Sequence, residues 1–139
     1  PERFEPGTQN VVGIAGLNAS LKWIEDKGTE LMKSEQSNRE CLIDILSEYP
    51  FIKLVGINSQ QKYTGIVSCL LDGISSDSAS TIFDERGTSV RTRLQCAPFA
   101  HKFLGTFPTG TVRFSVSPLT SGADFVELKK ALDSIAEEY

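Results

Sequence analysis

Apolar residues recur at helical spacing through the first third of the chain and at both ends of the sequence. Ile14, Leu17, Leu21 and Ile24 fall at i, i+3, i+7 and i+10, one face of a helix starting near Asn10. Asn10 is placed to cap that helix and Gly28 to stop it. Leu31, Asn38, Leu42, Ile45, Leu46 and Tyr49 mark the face of a second helix over 29–49, closed by Pro50. The period then changes. "FIKLVG" (51–56) and "TGIVSCLLDG" (64–73) are short β-branched runs joined by the polar "INSQQKY", which predicts two strands. "SSDSASTIFDERG" (75–87) starts on cap residues and ends in glycine, as a helix does. "TSVR" (88–91) reads as a short strand, and a short helix is expected near 97–104. "TVRFSVS" (111–117) alternates, with Val112, Phe114 and Val116 on one face and Thr111, Arg113 and Ser115 on the other. A last helix over 121–138 turns Phe125, Leu128, Leu132 and Ile135 inward.

The order α, α, β, β, α, β, loop, β, α predicts an α+β two-layer sandwich: a mixed, mainly antiparallel sheet with helices on one face. A chain of 139 residues with no internal repeat or linker reads as a single domain, 1–139.

Composition narrows the function classes. A net charge of −4 leaves no electrostatic footprint for nucleic acid. No apolar run approaches the roughly 18 residues of a membrane span, and "PERFEPGTQN" has no apolar core of a signal peptide. Three cysteines, Cys41, Cys69 and Cys96, form no spaced framework, which points to a reducing, cytoplasmic setting. One histidine and no C-x-x-C argue against a zinc site.

The chemistry-bearing stretch is "VRTRLQCAPFAH" (90–101). Cys41 in a helix and Cys69 in an apolar run read as packing residues. Cys96 follows a strand beside Arg91 and Arg93. Positive charge beside a thiol favours the thiolate, the nucleophilic form. Spacing alone leaves Cys96 open as an inert loop cysteine or a nucleophile. Arg113 stands on the polar face of its strand, either as an exposed arginine or as a planar fork for a carboxylate or phosphate. His101 reads as a packing residue or an acid–base group. "PGT" (6–8) reads as a flexible tail or as a phosphate cradle of backbone N–H groups and a hydroxyl.

Taken together these pieces resemble one family: the cysteine desulfurases of the class V aminotransferase group, pyridoxal-phosphate enzymes of fold type I. "RFEPGTQNVVGIAGLNASLKWIEDKG" resembles the segment that opens the family's small C-terminal domain. "VRTRLQCAPFAH" resembles its catalytic cysteine loop, and "GTVRFSVSPLTS" the strand carrying its substrate-binding arginine. The resemblance implies roles. Cys96 would be the nucleophile that takes sulfur from L-cysteine as a persulfide, leaving L-alanine. Arg113 would hold the substrate carboxylate, with Arg91 packed near the cysteine loop. Gly7 and Thr8 would reach the phosphate of pyridoxal 5′-phosphate in the partner subunit of a homodimer. A sulfur-acceptor protein would be the further partner.

Two positions depart from the family pattern: Arg93 where glycine is usual, and Gln95 where histidine is frequent. No lysine lies in a context resembling the one that bonds the cofactor. The chain therefore reads as the C-terminal small domain, with the large cofactor-binding domain absent and no cofactor expected on the chain alone. Pro1 in the first position agrees. The rival readings are a selenocysteine lyase or other class V homologue, and a free-standing sulfur-carrier or binding module using Cys96.

Overall fold

The computed structural model describes Phe4, residues 7–58 and residues 63–138. Pro6 of the expected phosphate cradle and residues 59–62 of the loop between the first two strands lie outside the described residues. The chain divides into two compact units, Pro1–Lys33 and Ser34–Tyr139, and helix α1 (Val11–Ser47) contributes to both.

In the first unit Asn10 caps α1 as expected: Gly13 N–H donates to Asn10 Oδ1 at 3.0 Å. Gly28 does not stop the helix, so the two helices expected from the sequence are one. A glycine inside a helix costs only about 1 kcal/mol relative to alanine. No proline comes soon after it, and Gly28 does not take the left-handed conformation that ends a helix. The Lys27–Glu30 ion pair spans it at 3.2 Å. Ile14, Leu17, Leu21 and Ile24 form the anticipated stripe, and all four are exposed by 50–60%.

The second unit is an α+β sandwich. β1 (Ile52–Val55), β2 (Ile66–Leu71) and β3 (Val112–Ser115) form an antiparallel sheet in the order β1-β2-β3. The register sets Leu54 opposite Cys69 and Cys69 opposite Val112, with Val67 opposite Phe114. Side chains alternate across a strand, so Ile52, Leu54, Val67, Cys69, Leu71, Val112 and Phe114 share one face. That face meets Leu42, Ile45 and Leu46 of α1, Ala79 and Phe83 of α2 (Ser76–Asp84), and Leu128, Leu132 and Ile135 of α4 (Gly122–Glu138) in one core. Phe83 and Phe114 pack edge to face with centroids 5.3 Å apart. Ser75 caps α2, accepting from Ser78 N–H. The opposite face carries Val55, Ser68 and Arg113, and α3 (Pro98–Phe103) borders it.

Two local expectations change. "TSVR" is no strand: only Arg91 pairs, through an isolated antiparallel bridge to Arg113. The chain turns away over 93–96, so beyond that bridge only one further hydrogen bond forms, Thr111 N–H to Arg93 O, and no second bridge follows. Thr111, placed on the polar face by alternation, is 2% exposed, because Gln95 and the loop before α3 lie over it. Among the described residues no helix is long and apolar enough to cross a membrane.

Candidate functional site

The loop 92–97 is tied to β3 from one side. Arg91 N–H donates to Arg113 O at 3.0 Å and Arg113 N–H to Arg91 O at 2.7 Å. Next along, Thr111 N–H donates to Arg93 O at 3.2 Å. The Gln95 amide then closes the loop, its Nε2 donating to Arg91 O at 3.3 Å and Thr111 O at 3.2 Å. Gly110 completes the clamp. Its φ is +77°, and a Cβ there would run into the backbone of Arg93.

The loop itself is bent sharply. Arg93, Gln95 and Cys96 adopt φ of +71°, +48° and +63°, values uncommon for residues with side chains. Such conformations persist only where the surroundings over-determine them, and they gather at functional sites. Here the β3 clamp does the determining. Ala97 N–H donates to Leu94 O at 2.8 Å, and Pro98 then opens α3. Cys96 emerges from this turn exposed to solvent.

Arg93 lies in the loop, and Arg91 and Arg113 lie at its base. Residues opposite one another in an antiparallel bridge share a face, so Arg91, Arg113 and Ser68 stand in one row. Arg91 is exposed and Arg113 half-buried. The Nε of Arg113 is buried without an acceptor among the described residues. Arg93, where the family pattern has glycine, turns outward and pairs with Asp77 of α2. The Asp77 hydrogen bond, then its charge, push the Arg93 pKa up. The structure thus pairs Arg91 with Arg113 and holds Cys96 on the loop that starts from that pair. Gly7, at φ +102°, and the exposed Thr8 belong to the first unit.

The other candidates separate cleanly. His101 is 5% exposed, its Nδ1 2.7 Å from Thr106 Oγ1, while its carbonyl accepts from Thr106 and Phe107 N–H; it packs the turn after α3. Cys69 is fully buried, and burial pushes its thiol up to about 12. Cys41 is exposed, contrary to the packing role expected, because it lies off the Leu42–Ile45–Leu46 face of α1. Among the described residues no group of three His, Cys, Asp or Glu could hold a metal ion. Sequence reasoning did not find the clamp roles of Gly110 and Gln95, nor the buried Arg39 of α1. A glycine directly before an alternating strand was the one available signal for Gly110.

Residues 1–128 match the profile of the family described as Aminotransferase class-V. The chain belongs to the class-V aminotransferase family. Among curated proteins it is 30% identical over 140 residues to a "Probable cysteine desulfurase" of Halalkalibacterium halodurans, covering 100% of this chain and 33% of the relative. Among solved structures it superposes on the apo cysteine desulfurase of Thermococcus onnurineus with a TM-score of 0.83 at 28% identity, over 100% of this chain and 34% of that one. The cysteine desulfurase CsdA (S-sulfonic acid) of Escherichia coli gives a TM-score of 0.77 at 27% identity, over 99% and 33%. The chain thus spans about a third of the length of the curated class-V relatives it matches.

Proposed function

We propose that this chain is the small C-terminal domain of a pyridoxal-phosphate-dependent cysteine desulfurase, with Cys96 as sulfur acceptor and Arg113 as carboxylate anchor. The observation that carries the reading is the pairing of an exposed cysteine on a strained, clamped loop with an arginine whose buried Nε lacks an acceptor. A buried charged donor without a partner among the described residues is costly, and a substrate carboxylate drawn against the half-buried Arg113 guanidinium would offset that cost. The match to cysteine desulfurases over the whole chain supports the same reading.

The residues present fit the rim of a cofactor site. Thr8, exposed, follows a glycine at which an added Cβ would meet nothing within 4 Å, a segment suited to a phosphate from the partner subunit of a homodimer. The lysine that bonds the cofactor would lie outside residues 1–139. When bound, pyridoxal phosphate supplies an electron sink for bond breaking beside the amino-acid α-carbon. This chain's own residues do the rest. The Arg113 fork holds the carboxylate of L-cysteine with two parallel N–H donors. Arg91, one bridge away, adds positive charge to the same row. The Cys96 thiolate then bonds to the substrate sulfur. The carbon–sulfur bond breaks, its electron pair stays with the carbon that becomes the methyl of L-alanine, and Cys96 is left as a persulfide. An acceptor protein in the cytoplasm would take that sulfur onward.

The test uses the full-length protein. L-cysteine should yield L-alanine and a persulfide mapped by mass spectrometry to Cys96. Sulfur release undiminished in Cys96→Ser would overturn the assignment. Activity on selenocysteine alone would move the protein to the lyase reading.

A further inference from the structure

Arg93 carries a long side chain at a backbone position that suits glycine. In a continued strand it would stand two residues on from Arg91 and on the same face. Its φ of +71° breaks that alternation, at a cost that glycine would not incur. The guanidinium reaches Asp77 in the first turn of α2. Ala79 and Phe83 of that helix pack on the core face of the sheet, opposite the face of Arg91 and Arg113.

The bonds from the loop to β3 run along one row, from Arg91, Arg93 and Gln95 to Arg113 and Thr111. A segment held along one row can still pivot about it. The Asp77 pair lies off that row. Around the pair, a cavity of about 530 Å³ bordered by Ser75, Leu94, Gln95 and Pro108 takes the place of packed side chains. Asp77 is a firm post, because its neighbour Ser76 donates to Thr109 O, next to the Gly110 that abuts the Arg93 backbone. From Arg93 the turn runs through Leu94 and Gln95 to Cys96, and Ala97 N–H closes it on Leu94 O.

We propose that the Arg93–Asp77 pair is a latch that fixes the orientation of the cysteine loop, making Arg93 a positioning residue for sulfur transfer by Cys96. The role in transfer rests on the sulfur-acceptor reading, and the latch itself does not. The two side chains are 69% and 61% exposed, so the latch is weak and is screened by salt. An exposed pair of this kind is worth about 2- to 5-fold in a local equilibrium.

The test compares full-length wild type, Arg93→Ala, Asp77→Ala and Arg93→Lys at low and high sodium chloride. Hydrogen exchange at the Thr111 and Ala97 amides, which bond to Arg93 O and Leu94 O, reads the latch. Turnover of L-cysteine reads its use. Both alanine variants should exchange about 2- to 5-fold faster at these amides. They should lower kcat by a similar factor and leave KM alone, because the Arg113 anchor is intact. Arg93→Lys keeps a cation within reach of Asp77 and should recover most of both losses. High salt should bring wild type toward the alanine variants and leave those two unmoved. The signs separate a latch from a charge effect on the thiol. Losing a positive and losing a negative charge would shift Cys96 in opposite directions, whereas a broken latch moves both variants the same way. Exchange equal to wild type in both alanine variants, faster exchange with an unaltered kcat, or kcat changes of opposite sign would each overturn the inference. If the protein turns over no L-cysteine, the sulfur-transfer reading fails, and the exchange rates alone decide the latch.

Discussion

Arg91 and Arg113 exchange both of their main-chain hydrogen bonds, at 3.0 and 2.7 Å, and only the single bond from Thr111 N–H to Arg93 O continues the pairing. That single rung joins the two arginines of the candidate site. It also starts the turn on which Cys96 sits. The placement of the proposed nucleophile and of the proposed carboxylate anchor thus depends on one short piece of backbone pairing.

Gly110 is the weak point of that clamp. It needs a positive φ, and any Cβ would meet the Arg93 backbone. A left-handed alanine costs roughly 1–2 kcal/mol, and displacing Arg93 adds to it. Gly110→Ala should destabilise the protein by about 2–4 kcal/mol. Gly73, at φ +75° with open space around it, supplies the control: Gly73→Ala should cost only about 1–2 kcal/mol. Urea-unfolding midpoints measure both. Equal effects would remove the close approach to Arg93 as the cause.

The thiols should rank by exposure. Cys69 is fully buried with its thiol pushed up to about 12 by burial, so almost none is thiolate near pH 8. Brief iodoacetamide treatment of the folded protein, with peptide mapping afterwards, should label Cys96 and leave Cys69 untouched. Cys41 is exposed as well, but it lies within a long regular helix whereas Cys96 lies on a turn, and it should label more slowly. Labelling of Cys69 at a comparable rate would mean that the core opens on that timescale.

Much of the fold is legible in the sequence, and the exceptions have physical causes. The strands, the inward faces of Val112 and Phe114, and the terminal helix come from period and composition, because they answer to one core. Gly28 misleads because a glycine signals a helix end only when it turns left-handed, and here the helical pattern of Leu31 to Leu46 carries the chain straight on. "TSVR" misleads because strand propensity cannot show that the chain leaves the sheet after one rung. The stripe of Ile14, Leu17, Leu21 and Ile24 is plain in the sequence, yet all four side chains are exposed by 50–60%. Arg39 is invisible there, since its burial depends on Tyr63, 24 positions away.

Tyr49 gives a pH test of the core. It is buried, and its hydroxyl donates to Asp133 Oδ1 at 2.6 Å. Burial first, then the Asp133 hydrogen bond and charge, push its pKa well above the ordinary phenol value. The folded pKa therefore exceeds the unfolded value of about 10. The resulting stability is complete below about pH 10 and is lost as pH rises beyond it toward the folded value. Wild type should lose stability more steeply above pH 10 than Tyr49→Phe. At neutral pH Tyr49→Phe should be weaker by about 1–2 kcal/mol from the lost hydrogen bond. Parallel slopes above pH 10 would show that Tyr49 ionises as readily folded as unfolded.

Arg113 and Cys96 should fail in opposite ways in the full-length protein. Val112 and Phe114 face the core at 1% and 4% exposure, so Arg113 faces the other side, with its Nε lacking an acceptor. A substrate carboxylate persists through every step, so its anchor acts in ground and transition states alike, and its loss appears mainly in KM. Removing a charge-assisted pair from a largely desolvated cleft costs on the order of 2–4 kcal/mol, roughly 30- to 1,000-fold in kcat/KM. Arg113→Ala should therefore raise KM for L-cysteine strongly while leaving the cofactor's absorption unchanged. Arg113→Lys should recover part of the loss, because an ammonium cannot present two parallel donors. Cys96→Ser should keep substrate binding, read from the spectral change on adding cysteine, and abolish sulfur transfer. The split between the two variants is the informative readout, since a merely structural role for Arg113 would lower stability and leave KM alone. A kcat/KM within about twofold of wild type in Arg113→Ala, less than about 0.5 kcal/mol, would end the carboxylate assignment.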